Sequence, residues 1–223
     1  YALANAAKGD IPVVFTAVSD PVAEDADFRT FDNVTGSSDK LPVESQIDLI
    51  KAFLNKGEEP VKIGILFTNT EANSKSQIAE FEALAEEKNI EIVSRGVNTA
   101  NEIPTAIDAL IAQGIDCFNN LTDNTVVQNL QTLLDKADAA GIPVFGSEIE
   151  QVTKGCLASC SLDYVELGQQ TGYMIADILE GKSADEIEYL YLDDGYTVDY
   201  NSSVMESFGL TLPEMYADAN DVA

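Results

Sequence analysis

The chain of 223 residues has no histidine and no tryptophan, and its 12 basic residues are outnumbered by 39 acidic ones. The absence of histidine excludes catalytic triads with an imidazole base, histidine zinc sites and ordinary imidazole acid–base chemistry. The formal net charge of −27 argues against nucleic acids and anionic membrane surfaces as partners, because contacts with phosphate would be repulsive. The acidic residues are spread along the chain, which favours a role in solubility over a role in one site.

Long apolar runs and cofactor motifs are missing as well. No apolar run approaches about 18 residues, so no segment is predicted to span a membrane. The chain has neither a GxxxxGK(S/T) phosphate loop nor a GxGxxG dinucleotide motif, and no metal-ligand spacing, so no cofactor and no metal are predicted. No pair of carboxylates is singled out as a catalytic acid and base, which leaves an enzyme on an α/β scaffold as the weakest of the functional classes.

Three cysteines, Cys117, Cys156 and Cys160, are an odd number. Cys156 and Cys160 lie in a strand-like run, where a rise of about 3.3 Å per residue separates them by about 13 Å. Because that distance prevents a disulfide, we expect buried free thiols rather than metal or redox sites. No particular role follows for any of the three.

Apolar strands alternate with amphipathic helices along most of the chain. After an alanine-rich helix tail at 1–9, strands are predicted at 11–18, 61–67, 90–94, 115–119, 142–145 and 155–162, with two short ones within 187–200. Helices are predicted after Pro42 to about Lys56, then after Ser74, at 101–113, 126–140 and 164–180, and within 203–219. This alternation predicts right-handed βαβ units, a parallel sheet and an α/β fold.

The stretch VKIGILFTNTEANSK, residues 61–75, is the centre of this pattern. Its apolar run is typical of a strand buried on both faces, and the short polar side chains that follow lead into a helix. Open α/β sheets bind ligands at this carboxyl end of a strand, and a helix N-terminus there can hold an anion. The alternative is an ordinary loop with a helix cap at Asn73 or Ser74.

Further polar clusters follow other predicted strands: Ser19-Asp20, 35–39, 122–125, Ser147-Glu148 and Asp163. Lys75 and Lys154 are the basic groups near these clusters, so the set suits a zwitterion better than a phosphate. A carboxylate such as Asp123 or Asp20 could pair with an ammonium group, while Ser74 and helix N–H groups hold a carboxylate. The alternatives remain open: a turn at Asp20, helix caps at Asp123 and Asp163, and solvated charge at Glu86-Glu87 and Asp193-Asp194.

Several motifs together resemble one family. IPVVFTAVSDPV, NVTGSSDKLPVESQIDLI, KIGILFTNTEANSKSQ, TDNTVV, IPVFGSE and SLDYVELGQQTGYMIADILEGK are similar in order and spacing to the substrate-binding proteins of ABC transporters. The similarity covers nearly the whole chain. It is strongest to the branch that includes tryptophan- and tyrosine-associated binding proteins.

The resemblance implies a fold of two doubly wound parallel-sheet lobes, of the type I periplasmic-binding-protein kind, joined by a three-crossing hinge. Residues 1–38 and 155–183 would form the N-lobe, and 39–154 with 184–223 the other lobe. Family members carry a further βαβαβ segment and a signal or lipoprotein segment before the position of Tyr1. We therefore expect an incomplete N-lobe, with an unpaired edge on the strand at 11–18.

The resemblance also implies a function without chemistry. The chain would bind an amino acid, aromatic or hydrophobic, between its lobes and deliver it to an ABC permease. The location would be extracytoplasmic, periplasmic or as a cell-surface lipoprotein, with an anchor near the membrane in the full-length protein. Asn73, Ser74, Asp123 and Asn124 would contact the head group, Ser19, Asp20 and Ser37 would face it from the N-lobe, and Asp163 would lie near the hinge. The alternative is a ligand-sensing regulatory domain with the same fold.

Overall fold

A computed structural model describes residues 11–22, 27–192 and 196–223. The predicted helix tail at 1–9 and the predicted solvated charge at Asp193-Asp194 lie outside these residues.

Short strands make up the sheets of the described chain. In chain order they are β1 (Val13–Phe15), β2 (Val34–Ser38), β3 (Val61–Thr68), β4 (Ile90–Val97), β5 (Cys117–Asn119), β6 (Val144–Phe145), β7 (Ala158–Ser161), β8 (Leu190–Tyr191), β9 (Thr197–Tyr200) and β10 (Asn220–Asp221).

The α-helices of the described chain are α1 (Val43–Leu54), α2 (Ala72–Leu84), α3 (Ile103–Ile111), α4 (Asn124–Gln128), α5 (Leu130–Ala139), α6 (Ile149–Thr153), α7 (Tyr164–Leu179) and α8 (Ser202–Ser207). Short 3₁₀ helices lie at Phe28–Thr30, Ala100–Glu102, Ala184–Glu186 and Glu214–Tyr216. The α/β alternation predicted from the sequence is confirmed.

The chain forms two compact units. The smaller consists of the described parts of Tyr1–Leu41 and Leu162–Tyr196, and the larger consists of Pro42–Ser161 and Thr197–Ala223. The chain thus passes from one unit to the other three times. The expected boundaries differ from these at three places. Residues 39–41 lie in the smaller unit, as do residues 184–196, because β8 pairs with β2. Residues 155–161 lie in the larger unit because β7 pairs with β9.

The larger unit is built on a parallel sheet of order β4-β3-β5-β6. The strand β3 is central because it pairs with both β4 and β5. One face of the unit packs buried apolar side chains from α3, α5 and the strands into a single cluster, including Ile107, Leu110, Phe118, Leu133 and Val144. This buried cluster holds the strands in position, and it thereby positions the loops at the carboxyl edge of the sheet.

A second sheet in the larger unit has the order β10-β9-β7. Here β7 and β9 run antiparallel, whereas β9 and β10 run parallel. The antiparallel pair departs from the purely parallel sheets expected from the sequence. The pair joins segments that are distant along the chain, since β9 belongs to the last segment of the larger unit.

The smaller unit contains a parallel sheet of order β1-β2-β8. Phe15 and Val34 form its buried apolar cluster, with Phe28 and Tyr189 packed against them. Gly36 lies in β2 with φ of +155°, and a Cβ atom there would overlap the carbonyl oxygen of Phe15. Glycine is therefore required for the close approach of β1 and β2.

Two helical predictions differ from the structure. The helix predicted at 126–140 is two helices, α4 and α5, interrupted at Asn129. The Asn129 amide donates a hydrogen bond of 2.8 Å to the carbonyl oxygen of Thr125, an alternative bond that competes with helical continuation. The helix α6 has only five residues and was not predicted.

Candidate functional site

Asp123 organises the carboxyl edge of the larger unit's parallel sheet. Its carboxylate is fully buried and accepts five hydrogen bonds. Thr68, at the end of β3, donates through its backbone N–H and its hydroxyl, both at 2.7 Å. Ser74 in α2 donates through its hydroxyl at 2.9 Å. The backbone N–H groups of Thr125 and Val126 donate at 3.1 Å, so Asp123 also caps α4.

These bonds leave the carboxylate little room for another partner. An ionised carboxylate has about four lone-pair directions on its two oxygens, and five donors already occupy them. In this structure Asp123 therefore holds β3, α2 and α4 together, and its pairing with an ammonium group stays a prediction. The Ser74 hydroxyl is also buried and serves the same purpose.

Asn124 presents its side chain to solvent at the start of α4. Its side-chain amide donates to both carboxylate oxygens of Glu71, at 3.2 and 3.4 Å. Glu71 is half-buried, directly before α2, and Asn73 is half-buried at the second position of that helix. The structure thus brings Glu71 and Asn124 together beside the N-terminus of α2.

Three helix N-termini carry predicted site residues, and they differ in their caps. Asp123 caps α4, and Asp163 caps α7 by accepting from the N–H groups of Val165 and Glu166 at 2.8 and 3.0 Å. Glu71, at the corresponding position of α2, makes no side-chain cap hydrogen bond. Of these three, α2 therefore keeps first-turn N–H groups that no cap side chain satisfies, the arrangement that favours an anion.

The neighbouring loops are fixed by a second buried network. Gln151 in α6 accepts from the side-chain amide of Asn120 at 2.9 Å and donates to the carbonyl oxygen of Leu121 at 3.3 Å. Ser147 donates its hydroxyl to the carbonyl oxygen of Asn120 at 2.8 Å. These buried bonds connect the loops after β5 and β6 to α6.

The predicted residues of the smaller unit make local bonds. The buried Ser37 hydroxyl lies 2.6 Å from the hydroxyl of Thr171 in α7. The Ser19 carbonyl accepts from the Ser38 hydroxyl at 3.1 Å, and the Asp20 carboxylate accepts from the N–H of Val22 at 3.3 Å. Asp163 is exposed at the start of α7. That any of the eight predicted residues contacts a ligand stays a prediction.

Glu71 is not among the site residues predicted from the sequence. It lies in the stretch TNTEANSK, but an isolated glutamate gives no signal that separates it from ordinary exposed charge. Only the fold shows that Asn124, 53 positions later, donates to it.

The cysteine prediction is confirmed: Cys117, Cys156 and Cys160 are free and buried. Burial raises the pKa of all three thiols, for Cys160 to about 11 with a smaller contribution from Asp199. Thiols that stay protonated at neutral pH are poor nucleophiles and poor metal ligands.

The described residues contain neither a cluster of metal-ligating side chains nor a membrane-spanning helix. In 11–22, 27–192 and 196–223, no group of three or more cysteine, aspartate or glutamate side chains is placed to hold a metal ion. Within the same ranges, none of the helices combines the length and the apolar character needed to cross a membrane.

Comparisons with known proteins agree on one family. The family model described as ABC transporter substrate binding protein matches residues 1–222. A tyrosine-binding protein of Clostridioides difficile is 36% identical over 194 residues, which are 85% of this chain and 54% of that protein. The chain therefore spans about half the length of this curated relative.

Two solved structures extend the comparison. A conserved domain protein from Vibrio cholerae O1 biovar eltor has a TM-score of 0.84 and 32% identity, covering 98% of this chain and 74% of that one. The ABC domain in complex with L-Trp from Streptococcus pneumonia has a TM-score of 0.83 and 28% identity, covering 98% of this chain and 76% of that one. The matched family is described by substrate binding, and the second of these neighbours is a complex with L-Trp. This chain belongs to the family of ABC transporter substrate-binding proteins, with the type I periplasmic-binding-protein fold.

Proposed function

We propose that the protein is the extracytoplasmic solute-binding component of an ABC importer, with an aromatic or hydrophobic amino acid as its ligand. The observation that carries the proposal is the edge of the larger unit, where the uncapped N-terminus of α2 lies beside the carboxylate of Glu71. A helix N-terminus attracts a carboxylate and a glutamate attracts an ammonium group, so the two together suit an amino-acid head group.

Each residue of this edge then has a distinct role. Glu71 pairs with the ligand's ammonium group, and Asn124 orients the Glu71 carboxylate through its amide hydrogen bond. The N–H groups of α2, with the Asn73 side chain beside them, hold the ligand's carboxylate. Asp123 and Ser74 act indirectly, since their buried bonds fix α2 and α4 at the required separation.

The ligand class rests on the relatives. One relative is named a tyrosine-binding protein, and one solved neighbour is a complex with L-Trp. The membership of the family supports a permease partner and a location outside the cytoplasm, with lipoprotein anchoring as the form proposed from the sequence. Ser19, Asp20 and Ser37 of the smaller unit remain proposed contacts to the same ligand.

Calorimetric titration tests this proposal. The ligands are L-tyrosine, L-tryptophan, L-phenylalanine, L-leucine and D-tyrosine, together with tyramine and 3-(4-hydroxyphenyl)propionate. The two analogues lack the carboxylate and the ammonium group respectively. We expect an L-aromatic amino acid to bind most tightly, and each analogue to bind at least about tenfold more weakly, because a charge-assisted hydrogen bond contributes about 1.5–3 kcal/mol.

Two results would overturn the proposal. Equal binding of tyrosine and tyramine would show that the α2 N-terminus does not bind the ligand's carboxylate. Absence of heat with every amino acid would show that amino acids are not the ligand class.

A further inference from the structure

A cavity lies within the smaller unit, and none of its lining residues is among those proposed to bind the amino acid. It has a volume of about 400 Å³ and is bounded by the chain from Arg29 to Val34 on one side and from Ala184 to Tyr191 on the other. This volume falls within the range of small-molecule sites, about 300–1,000 Å³. All of its lining residues belong to one unit.

Aromatic side chains form much of the lining, from Phe31, Tyr189 and Tyr191. The Tyr189 ring is held edge-on against Phe15, with ring centroids 4.9 Å apart and an interplanar angle of 89°. The Tyr189 hydroxyl is buried and has no hydrogen-bond partner among the residues that the structure describes.

The charge around the cavity is negative. Asp32, Asp185 and Glu188 line it, and in the part of the chain that the structure describes no lysine or arginine forms an ion pair with any of them. Arg29 also lines it, but its guanidinium is bound to both carboxylate oxygens of Asp27 at 2.7–3.2 Å. An anion would therefore meet three carboxylates and a guanidinium that is already neutralised.

The tyrosines remain uncharged at neutral pH. Burial, and then the negative charge of Asp27, raises the pKa of Tyr189. Burial, and then the negative charge of Asp20, raises the pKa of Tyr191. Neutral aromatic faces attract cations through the ring quadrupole, and carboxylates beside them add to the attraction.

We propose that this cavity binds an organic ammonium ion, with its positive charge against Tyr189 and Tyr191 and close to Asp32, Asp185 and Glu188. Aromatic walls with nearby carboxylates recognise quaternary ammonium groups in general, because such a group has an apolar surface of methyl groups and carries a positive charge. The lining of this cavity and the proposed amino-acid site have no residue in common.

The test compares choline with 3,3-dimethylbutan-1-ol, a neutral molecule of the same shape. Binding is followed by the tyrosine ring resonances in NMR spectra of the whole chain, with acetate as the anionic probe. We expect saturable shifts with choline, binding of the neutral molecule at least about tenfold weaker, and no saturable shift with acetate. Equal binding of choline and its neutral counterpart, absence of a choline shift, or tighter binding of acetate would each overturn the proposal.

Variants locate the site. Tyr191→Leu should weaken choline binding about tenfold, and Asp185→Asn about threefold. Glu206→Gln removes one exposed charge in the larger unit and should leave choline affinity unchanged. Asp185→Asn changes an exposed side chain, so it tests the site even where Tyr191→Leu fails to fold. Unchanged choline affinity in Asp185→Asn would overturn the assignment.

The outcome is separate from the test of the amino-acid ligand. Tyrosine titrated into Tyr191→Leu should bind as it does to the unchanged chain, and saturating tyrosine should not displace choline. Competition between the two would contradict the assignment of a second site.

Discussion

At the scale of single residues, the burial of Asp123 decides its role. The sequence predicts that Asp123 precedes a helix and can cap it. It does not predict that Thr68 and Ser74, 55 and 49 positions earlier, donate to the same carboxylate. Those bonds arise from the packing of β3 and α2, which no local pattern encodes. The local pattern therefore predicts the helix cap at Asp123 but neither the buried network around it nor the contact between Asn124 and Glu71.

Replacement of Asp123 should cost stability. In Asp123→Asn the amide nitrogen replaces one acceptor oxygen, so buried donors such as the Thr68 N–H or the Ser74 hydroxyl lose their partner. We expect the free energy of unfolding in urea to fall by about 2–4 kcal/mol, the range for buried polar groups left unpaired.

Asp138→Asn is the matched control, because Asp138 is an exposed aspartate of the same unit. Its effect should stay within about 0.5 kcal/mol. Equal losses in the two variants would show that the Asp123 bonds do not hold the unit together.

At the scale of elements, the caps distinguish helix N-termini whose N–H groups are already bonded from those whose N–H groups can bind a ligand. Asp163 accepts two N–H groups at the start of α7, whereas α2 begins without a cap side chain. The periodicity of the sequence predicted both helices, with ends within a few residues. It could not predict the interruption at Asn129 or the antiparallel pairing of β7 with β9, because the first depends on a side-chain bond and the second on a distant segment.

The cap of α7 gives a second stability prediction. Asp163→Ala should lower the free energy of unfolding by about 1 kcal/mol, because two first-turn N–H groups lose their acceptor. Asp163→Asn keeps a cap oxygen and should cost little. Circular dichroism during urea unfolding measures both variants. Similar losses in the two would mean that the carboxylate, rather than the cap geometry, stabilises the helix.

At the scale of the whole molecule, the sequence is sufficient for the fold class and the family. Alternating strands and helices predict parallel βαβ units, and several motifs in one order identify the family that the comparison confirms. The boundaries of the two units follow from strand partners instead. The strand β7 joins the larger unit through β9, and β8 joins the smaller one through β2. The unit to which each of these strands belongs can therefore be assigned only once the strand pairing is known.

Glu71 is the residue that we propose to bind the ammonium group of the amino acid. Calorimetry on the unchanged chain and on Glu71→Gln tests this role, with L-tyrosine and 3-(4-hydroxyphenyl)propionate as paired ligands. Glu87→Gln is the control variant, because Glu87 is an exposed glutamate of the same unit. We predict that Glu71→Gln weakens tyrosine binding by at least about tenfold, the effect of losing a charge-assisted bond, and leaves binding of the deaminated analogue unchanged or stronger. Equal weakening of both ligands, or none of either, would contradict the assignment of the head-group site to Glu71.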